Sequence, residues 1–103
     1  MFLISVYPRK PTLQVTPSTE IVTRGTTVTL TCTTGSTGVT YYFMRDDTLL
    51  DSNSETSYVM NDVTSADSGV YTCYVATNKS MASHSDGHML TVVGEYKLKV
   101  IVI

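Results

Sequence analysis

Charge of either sign is scarce in this sequence, and long apolar runs are absent. Asp, Glu, Lys and Arg make up only 16% of the 103 residues, and the formal net charge is -2. Phosphate backbones and anionic lipids attract clustered Lys and Arg, so nucleic acid is not an expected partner. No run approaches the roughly 18 apolar residues that a transmembrane helix needs, so we expect no membrane insertion by this chain.

Helical periodicity is missing as well. No window of about twelve residues carries apolar side chains three and four positions apart, whereas apolar and polar residues alternate in many short segments. The clearest alternation runs through 27–33, where Val28, Leu30 and Cys32 share one side and threonines take the other. One face of this segment is therefore expected in a core and the other in water.

Similar short segments recur along the chain. Runs at 12–15 and 20–22 lie beside Pro11 and Pro17, which restricts them to sheet edges. With 42% hydrophobic residues the chain can enclose one core, and about seven strands at this spacing predict an all-β sandwich. The other predicted inward residues are Val39, Tyr41, Phe43, Tyr58, Met60, Val63, Tyr71, Cys73, Val75, Leu90 and Val92.

The two cysteines allow only one intramolecular pairing. Cys32 and Cys73 occupy inward positions of separate alternating segments, so they can meet across the core. A disulfide over this separation of 41 residues would stabilise the fold by about 4 kcal/mol in the chain-entropy model. Such bonds persist outside the cytosol, which favours an extracellular domain. The alternative is a pair of reduced core cysteines in a cytosolic protein.

Two segments around these cysteines carry a recognisable signature. Residues 67–73 read Asp-Ser-Gly-Val-Tyr-Thr-Cys and match D-x-G-x-Y-x-C, and residues 28–32 match V-T-L-x-C. On these motifs the chain resembles the immunoglobulin superfamily over about residues 10–93. The resemblance implies an immunoglobulin-like Greek-key sandwich of two antiparallel sheets with about seven to eight strands. It also implies that the Tyr71 hydroxyl bonds upstream backbone as a tyrosine corner, and that Asp67 fixes the turn into that strand.

The sequence contains no tryptophan, although the family usually packs one against the disulfide from the third strand. Phe43 stands in phase with this position, so we expect it to pack on the disulfide, with Tyr41 filling part of the remaining volume. Many members pair the equivalent of Asp67 with an arginine before the fifth strand. No basic residue lies between Asp46 and Ser57, so that ion pair comes from elsewhere or is absent. The predicted fold-signature residues are Phe43, Asp67, Gly69 and Tyr71.

The interval between Phe43 and Tyr58 distinguishes the subtypes of the family. Variable-type domains insert two further strands in this interval, and only fourteen residues are available here. The interval leaves room for one short extra strand and favours an I-set or C2-set domain. We place this domain at residues 8–93.

The flanking residues 1–7 and 94–103 contain similar apolar segments, about one domain length apart. Chance explains this similarity as well as a tandem array does. In an array, residues 2–6 would end a preceding domain and residues 96–102 would begin a following one; residues 1–7 are otherwise an appended remnant. An unpaired apolar end at 97–103 is expected to make the chain associate.

The segment 83–88, Ser-His-Ser-Asp-Gly-His, contains the residue types of a hydrolase or a zinc site. Neighbours in one loop do not supply a buried acid beside an oxyanion hole, and His84, Asp86 and His88 lack a scaffold that sets ligand geometry. Residues 51–55 alternate like part of a calcium loop, but the glycine and the bidentate Glu are missing. We expect a hairpin tip at 83–88, no catalytic residue, no metal and no cofactor.

Two further surface features are predicted. Asn78-Lys79-Ser80 is an N-glycosylation sequon just past the strand of Cys73, and we expect Asn78 to be glycosylated in a secreted protein. No basic residue occurs between Arg45 and Lys79, which suits either a basic partner or a solvated loop edge. The acidic residues of this interval are Asp46, Asp47, Asp51, Glu55, Asp62 and Asp67.

These observations favour a non-enzymatic recognition module of an adhesion molecule or immune-type receptor, at the cell surface or secreted. The expected partners are other proteins, whether receptor, ligand or self, and neighbouring immunoglobulin-like domains. A structural spacer within a tandem immunoglobulin array is the alternative, because a fold alone does not choose between the two. The candidate partner-binding residues are Tyr42, Met44, Met81, His84 and His88.

Overall fold

A computed structural model describes residues 10–35, 37–53, 55–77 and 82–94, which form nine β-strands. The strands are β1 (Thr12–Thr16), β2 (Ile21–Thr23), β3 (Val28–Thr33), β4 (Thr40–Arg45), β5 (Thr48–Asn53), β6 (Ser57–Met60), β7 (Gly69–Ala76), β8 (Ala82–His84) and β9 (His88–Val93). One turn of 3₁₀ helix, Ser65–Asp67, precedes β7. No helix in these ranges is long and apolar enough to span a membrane.

The strands form two sheets around one core. The smaller sheet has the order β1-β3-β6, and the larger has the order β2-β9-β7-β4-β5, with β8 also paired to β7. The predicted all-β immunoglobulin-like sandwich is confirmed, with two differences in detail. The edge strand β2 pairs with β9 in parallel, because the chain changes sheets after β1 without reversing direction. The strand count exceeds the predicted range because β8 is a separate short strand, and its last two residues lie in the segment 83–88 that was predicted as a hairpin tip.

A single strand, β5, lies between β4 and β6, in agreement with the short interval in the sequence. It pairs with β4 through a two-residue turn in which Asp46 and Asp47 both have positive φ, +47° and +66°. Such a turn matches the twist of a hairpin, and Asp tolerates this conformation better than most residues. Two residues of the acidic interval therefore shape a turn.

The core consists of the side chains that alternation assigned to the inward faces. In β3, Val28, Leu30 and Cys32 have no exposed surface, while the threonines between them are partly exposed. The inward residues of β7 are buried in the same way, and Tyr41 and Tyr58 pack at the margin of the cluster. The alternation predicted from the sequence is confirmed in each of these strands.

The disulfide between Cys32 and Cys73 joins β3 to β7 across this core, with a Cα–Cα distance of 6.2 Å. Phe43 is fully buried and lies in register with Cys73 on the neighbouring strand, where the sequence predicts it. The ring of Tyr58 lies 5.7 Å from the ring of Phe43, centroid to centroid. Phe43 therefore lies beside the disulfide, where the family usually has a tryptophan, and Tyr41 and Tyr58 pack against the same core cluster.

Hydrogen bonds from the signature residues fix the entry into β7. The Tyr71 hydroxyl donates to the main-chain carbonyl of Asp67, as the resemblance implies. The Asp67 carboxylate accepts from the Thr64 N–H at 2.8 Å, and its other oxygen lies 3.6 Å from the Arg45 guanidinium. The basic partner of Asp67 therefore comes from the end of β4, outside the interval that lacks basic residues.

Candidate protein-binding face

The larger sheet has a side turned away from the core, which we call the outer face. Side chains alternate along a strand, so the buried Cys73 of β7 places Thr72 and Tyr74 on this face. In β4, the buried Phe43 places Tyr42 and Met44 on the same face. The sequence predicts this orientation of Tyr42 and Met44, and both are partly exposed there.

A row of aromatic rings crosses the outer face over three strands. Tyr74 lies across from Tyr42 on one side and from His84 of β8 on the other. The two tyrosine rings stack with centroids 4.4 Å apart and planes at 5°, and the Tyr74 and His84 centroids lie 4.8 Å apart. Partial burial raises the pKa of Tyr74, and the neighbouring Tyr42 adds to this effect. The Tyr74 hydroxyl therefore stays protonated at physiological pH.

Exposed apolar side chains concentrate on this same face. Six large apolar side chains are strongly exposed among the described residues, and only Val59 belongs to the smaller sheet. Cross-strand pairing places Val70 beside Met89, and Met44 beside Leu49. Several large exposed apolar side chains on one face are typical of an interaction site. The five that lie on the outer face are Ile21, Leu49, Val70, Met89 and Val93.

Formal charges are confined to the margins of the outer face. Apart from His84, its outward strand positions carry no acidic or basic side chain. Asp46 and Asp47 lie at the β4–β5 turn, and Arg24 follows β2. A partner can therefore cover the centre of this face without removing a charge from water.

The segment 83–88 differs from its prediction as a hairpin tip. It contains the end of β8, a bulge at residues 85–87 and the start of β9, and both strands pair with the same edge of β7. Tyr71 lies across from His88, and Tyr74 lies across from His84. Tyr71 and Tyr74 are three residues apart, whereas their partners His88 and His84 are four residues apart. The paired segment therefore contains one extra residue, which reverses the direction of the side chains that follow it.

This reversal separates two histidines that the sequence grouped together. His84 belongs to the aromatic row, whereas His88 faces the core side and lines a cavity beside Leu13 and Val15 of β1. The Nε2 atom of His88 is buried and has no hydrogen-bond partner among the described residues. His88 therefore does not lie on the outer face with Tyr42, Met44 and His84, and its predicted contact role stays a prediction. The two imidazoles also lie on opposite sides of the sheet, so they do not share a metal site.

The described ranges contain no cluster of three His, Cys, Asp or Glu side chains that could hold a metal ion. Met81 and Asn78 lie outside these ranges, as do residues 1–9 and 95–103. The contact role of Met81, glycosylation at Asn78 and the tandem-array interpretation of the ends stay predictions.

Sequence reasoning did not select Tyr74 or the exposed apolar residues of the other strands. Tyr74 stands between Cys73 and Val75 in an alternating strand, so its outward direction was available from the pattern. The contribution of Met89 and Val70 was less accessible, because it depends on which strands are neighbours in the sheet.

The fold and its residues agree with a comparison against known families. The chain matches the immunoglobulin domain family over residues 10–78, including both cysteines. The chain belongs to this family. A disulfide-bonded immunoglobulin domain is typical of extracellular proteins, and domains of this type are typically not enzymes. A search of curated proteins found no match.

Solved immunoglobulin domains share the fold at low sequence identity. The second Ig-C2 domain of human Fc-receptor like A superposes with a TM-score of 0.71 at 23% identity, covering 82% of this chain and 98% of that one. Murine CEACAM1b gives a TM-score of 0.74 at 22% identity, covering 90% of this chain but 49% of that one. Sidekick-1 immunoglobulin domains 1-5 give 0.61 at 20% identity, covering 87% and 18%. This chain spans about half or less of the last two structures.

Proposed function

We propose that this immunoglobulin domain is a recognition module of a cell-surface or secreted receptor or adhesion protein, and that it binds another protein through the outer face of the larger sheet. The observation that carries the proposal is the concentration of exposed apolar side chains on one face. Five of the six strongly exposed apolar residues in the described ranges lie there, around the stacked Tyr42 and Tyr74.

The composition of the outer face supports binding of a folded protein surface. Tyr and Met are enriched in protein interfaces, and acidic and basic residues are depleted from interface centres. The stacked rings of Tyr42 and Tyr74 are held by each other, so they lose little conformational freedom on binding. Asp46 and Asp47 at the margin suit a partner with basic residues at the corresponding rim.

The test uses a fluorescent tetramer of the chain as a probe against a panel of receptor ectodomains displayed on cells. For any ectodomain that binds, the double variant Tyr42→Ala/Leu49→Ser should weaken binding by about tenfold or more, because both side chains lie on the outer face. Val59→Ser, which removes the one strongly exposed apolar side chain of the smaller sheet, is the matched control. Equal binding by both variants and the wild type would contradict the proposal.

A structural spacer within a tandem array is the second candidate. It is favoured by the match to Sidekick-1 immunoglobulin domains 1-5, where several such domains occur in one chain. A spacer role predicts that the tetramer binds no ectodomain in the panel. It also predicts that changes at Tyr42 and Leu49 leave the binding of the full-length protein unaltered.

A further inference from the structure

We propose that residues 2–6 form a further strand of the smaller sheet, which pairs with β1 and covers a cleft between the two sheets. The cleft lies between β1 and the start of β9, and we call it the edge cleft. Its lining includes Leu13, Val15 and His88. It is a different surface from the outer face, because these side chains lie on the core side of their strands.

One edge of β1 is open. β1 stands at the end of the order β1-β3-β6, so this edge has no paired strand among the described residues. Gln14 lies across from Thr31, whose main chain faces β1 because the adjacent Cys32 N–H bonds on the β6 side. Main-chain groups alternate between the two edges of a strand, so the N–H and C=O groups of Leu13 and Val15 point to the open edge. These groups can pair with an added strand.

The facing wall of the edge cleft is the start of β9. β2 pairs with β9 only at residues 91–93, so the residues before them extend beyond β2. His88 lies in this part of β9 and lines a cavity of about 450 Å³ and a second one of about 320 Å³, both shared with Leu13. The buried Nε2 atom of His88 has no hydrogen-bond partner in the described ranges. Buried polar atoms usually have one, so we expect a further polar group beside it.

Residues 2–6 lie outside the described ranges, and the chain connects them directly to this cleft. They read Phe-Leu-Ile-Ser-Val, a composition that favours a strand. Lys10 precedes β1, and its Nζ atom lies 2.8 Å from Oδ1 of Asp86, just before β9. The chain therefore enters the described domain at the mouth of the edge cleft.

The connection between residues 2–6 and β1 has the length of a hairpin loop. Residues 8–10 read Pro-Arg-Lys, and a loop of this length is common between antiparallel strands. Pro8 suits the first central position of such a turn, because its ring fixes φ near the required value. β3 already occupies one edge of β1, so a hairpin places the added strand on the open edge.

This loop determines the register of the added strand. With residues 8–10 in the turn, Ser5 lies across from Leu13, and Leu3 lies across from Val15. Residues directly opposite one another in an antiparallel pair have side chains on the same face. Leu3 and Ser5 therefore point into the cleft, and the other three residues of the segment point away from it.

Ser5 supplies the group that His88 lacks. The residue across from Leu13 lies next to His88, because Leu13 and His88 line the same two cavities. A hydroxyl both donates and accepts, so the Ser5 side chain suits either tautomer of the imidazole at Nε2. Leu3 adds apolar contact to the same core margin.

Attachment to the same chain favours this segment over a strand from another molecule. An open strand edge can accept a strand from any chain. A segment joined by a short loop is present at an effective concentration of about 1 mM, which exceeds the concentration of most free partners. The added strand would thus protect the open edge of the domain from intermolecular pairing.

The test is amide hydrogen exchange of the full chain, followed by NMR at single residues. We expect slow exchange at the Leu13 and Val15 amides. Leu3→Asp should accelerate exchange at both by about tenfold or more, because it places a carboxylate inside the cleft. Ile4→Asp adds the same charge on the side away from the cleft and should leave both rates unchanged. Circular dichroism and thermal unfolding check that both variants fold.

The His88 imidazole provides a second measurement. Ser5→Ala removes the hydroxyl and should change the ¹⁵N chemical shifts of the His88 ring, because the hydrogen bond at Nε2 determines the tautomer. Val6→Ala removes a neighbouring side chain on the opposite face and should leave these shifts unchanged.

Several outcomes would overturn the proposal. These are fast exchange at Leu13 and Val15 in the wild type, equal effects of Leu3→Asp and Ile4→Asp, and His88 shifts that do not respond to Ser5→Ala. Slow exchange that depends on protein concentration between about 20 µM and 1 mM would assign the open edge to a strand from a second copy. The proposed pairing also excludes residues 2–6 as the end of a preceding domain. Binding through the outer face is independent of all these results.

Discussion

At the scale of single residues, Tyr71 links the core to the surface. Its ring is fully buried, and its hydroxyl reaches the Asp67 carbonyl just before β7. Burial raises the pKa of this hydroxyl, and the nearby Arg45 opposes the shift. The residue therefore stabilises the domain while its hydroxyl keeps its proton.

Removing this hydroxyl should lower the free energy of unfolding. Tyr71→Phe keeps the ring but leaves the Asp67 carbonyl without this donor, which costs about 1 to 2 kcal/mol. Urea unfolding at neutral pH measures the change. Tyr58→Phe is the control, since Tyr58 lies at the margin of the core. An equal loss in both variants would contradict a specific role of the tyrosine corner.

The same residue predicts a pH dependence. Below the ordinary tyrosine pKa of 10.0, the folded and unfolded chains both hold the proton, and this contribution to stability is complete. Above it the unfolded chain loses the proton first, so stability falls as the pH rises. The decrease between about pH 9 and 11 should be smaller in Tyr71→Phe than in the wild type, as measured by urea midpoints. Parallel curves for the two proteins would count against this assignment.

Gly69 illustrates a residue whose identity depends on a close approach. Its φ is +157°, and a Cβ built on it would lie 2.6 Å from a carboxylate oxygen of Asp46. Gly69→Ala should lower the free energy of unfolding by about 1 to 3 kcal/mol. Gly94→Ala is the matched control, because its added Cβ has no atom within 4 Å among the described residues beyond its chain neighbours. If urea unfolding shows the same stability for both variants, the turn at Asp46 adjusts without cost.

At the scale of elements, the bulge between β8 and β9 is held by one buried serine. The Ser85 N–H donates to the Cys73 carbonyl at 2.8 Å, and its hydroxyl oxygen accepts from the Cys73 N–H at 2.9 Å. The Ser85 hydroxyl thus accepts the hydrogen bond that a main-chain carbonyl of a paired strand would otherwise accept, at the point where the pairing with β7 is interrupted. The hydroxyl also donates to the Asp86 carbonyl.

Ser85→Ala should therefore destabilise the domain more than a surface serine change does. The Cys73 N–H loses its acceptor in a buried place, at a cost of about 1 to 3 kcal/mol. Amide hydrogen exchange should also become faster at Cys73, which locates the effect. Ser57→Ala, at an exposed position of β6, is the control. Unchanged exchange at Cys73 would show that another group satisfies this N–H.

The elements differ in how far the sequence predicted them. Alternation located β3 and β7 because both bury every second residue, and the two cysteines fixed their partnership. The motif around Asp67 and Tyr71 then predicted the corner, including its bond. The bulge was not predictable in this way, since one extra residue near Gly87 leaves the local pattern unchanged. Its effect on His88 appears only when β8 and β9 pair with the same neighbour.

The outer face was predicted only in part, because alternation shows which side chains of a strand point outward but not which strands are neighbours. Tyr42 and Met44 are outward in any strand that buries Phe43, so alternation was sufficient. Met89 lies beside Val70 because β9 and β7 are neighbours in the sheet. Alternation along a single strand does not show which strands are neighbours. The pairing of β2 with β9, which adds Ile21, is likewise a property of topology.

At the scale of the whole molecule, the disulfide ties the two sheets together. It joins β3 and β7 over 41 residues, with both sulfurs in the core. Reduction should lower the free energy of unfolding by about 3 to 4 kcal/mol, through the greater freedom of the reduced unfolded chain. Urea unfolding with and without reductant measures this difference.

Thiol labelling provides the control for that experiment. The native protein should take up no alkylating reagent, and the reduced, unfolded chain should take up two equivalents, one for each cysteine. Labelling of the native protein, or equal stability with and without reductant, would contradict the role assigned to the bond.

The divided edge of the larger sheet has a consequence for how this domain tolerates sequence change. β8 and β9 pair with β7 separately on either side of residues 85–87, so the register that keeps Leu90 and Val92 in the core does not depend on the side chains of β8. The outward side chain at His84 can therefore change without moving the core residues of β9. Ser85 and Gly87 are constrained, because Ser85 bonds Cys73 and a Cβ at Gly87 would lie 2.8 Å from the Val70 Cγ1 atom. What this edge presents to a partner is thus separate from what keeps the domain folded.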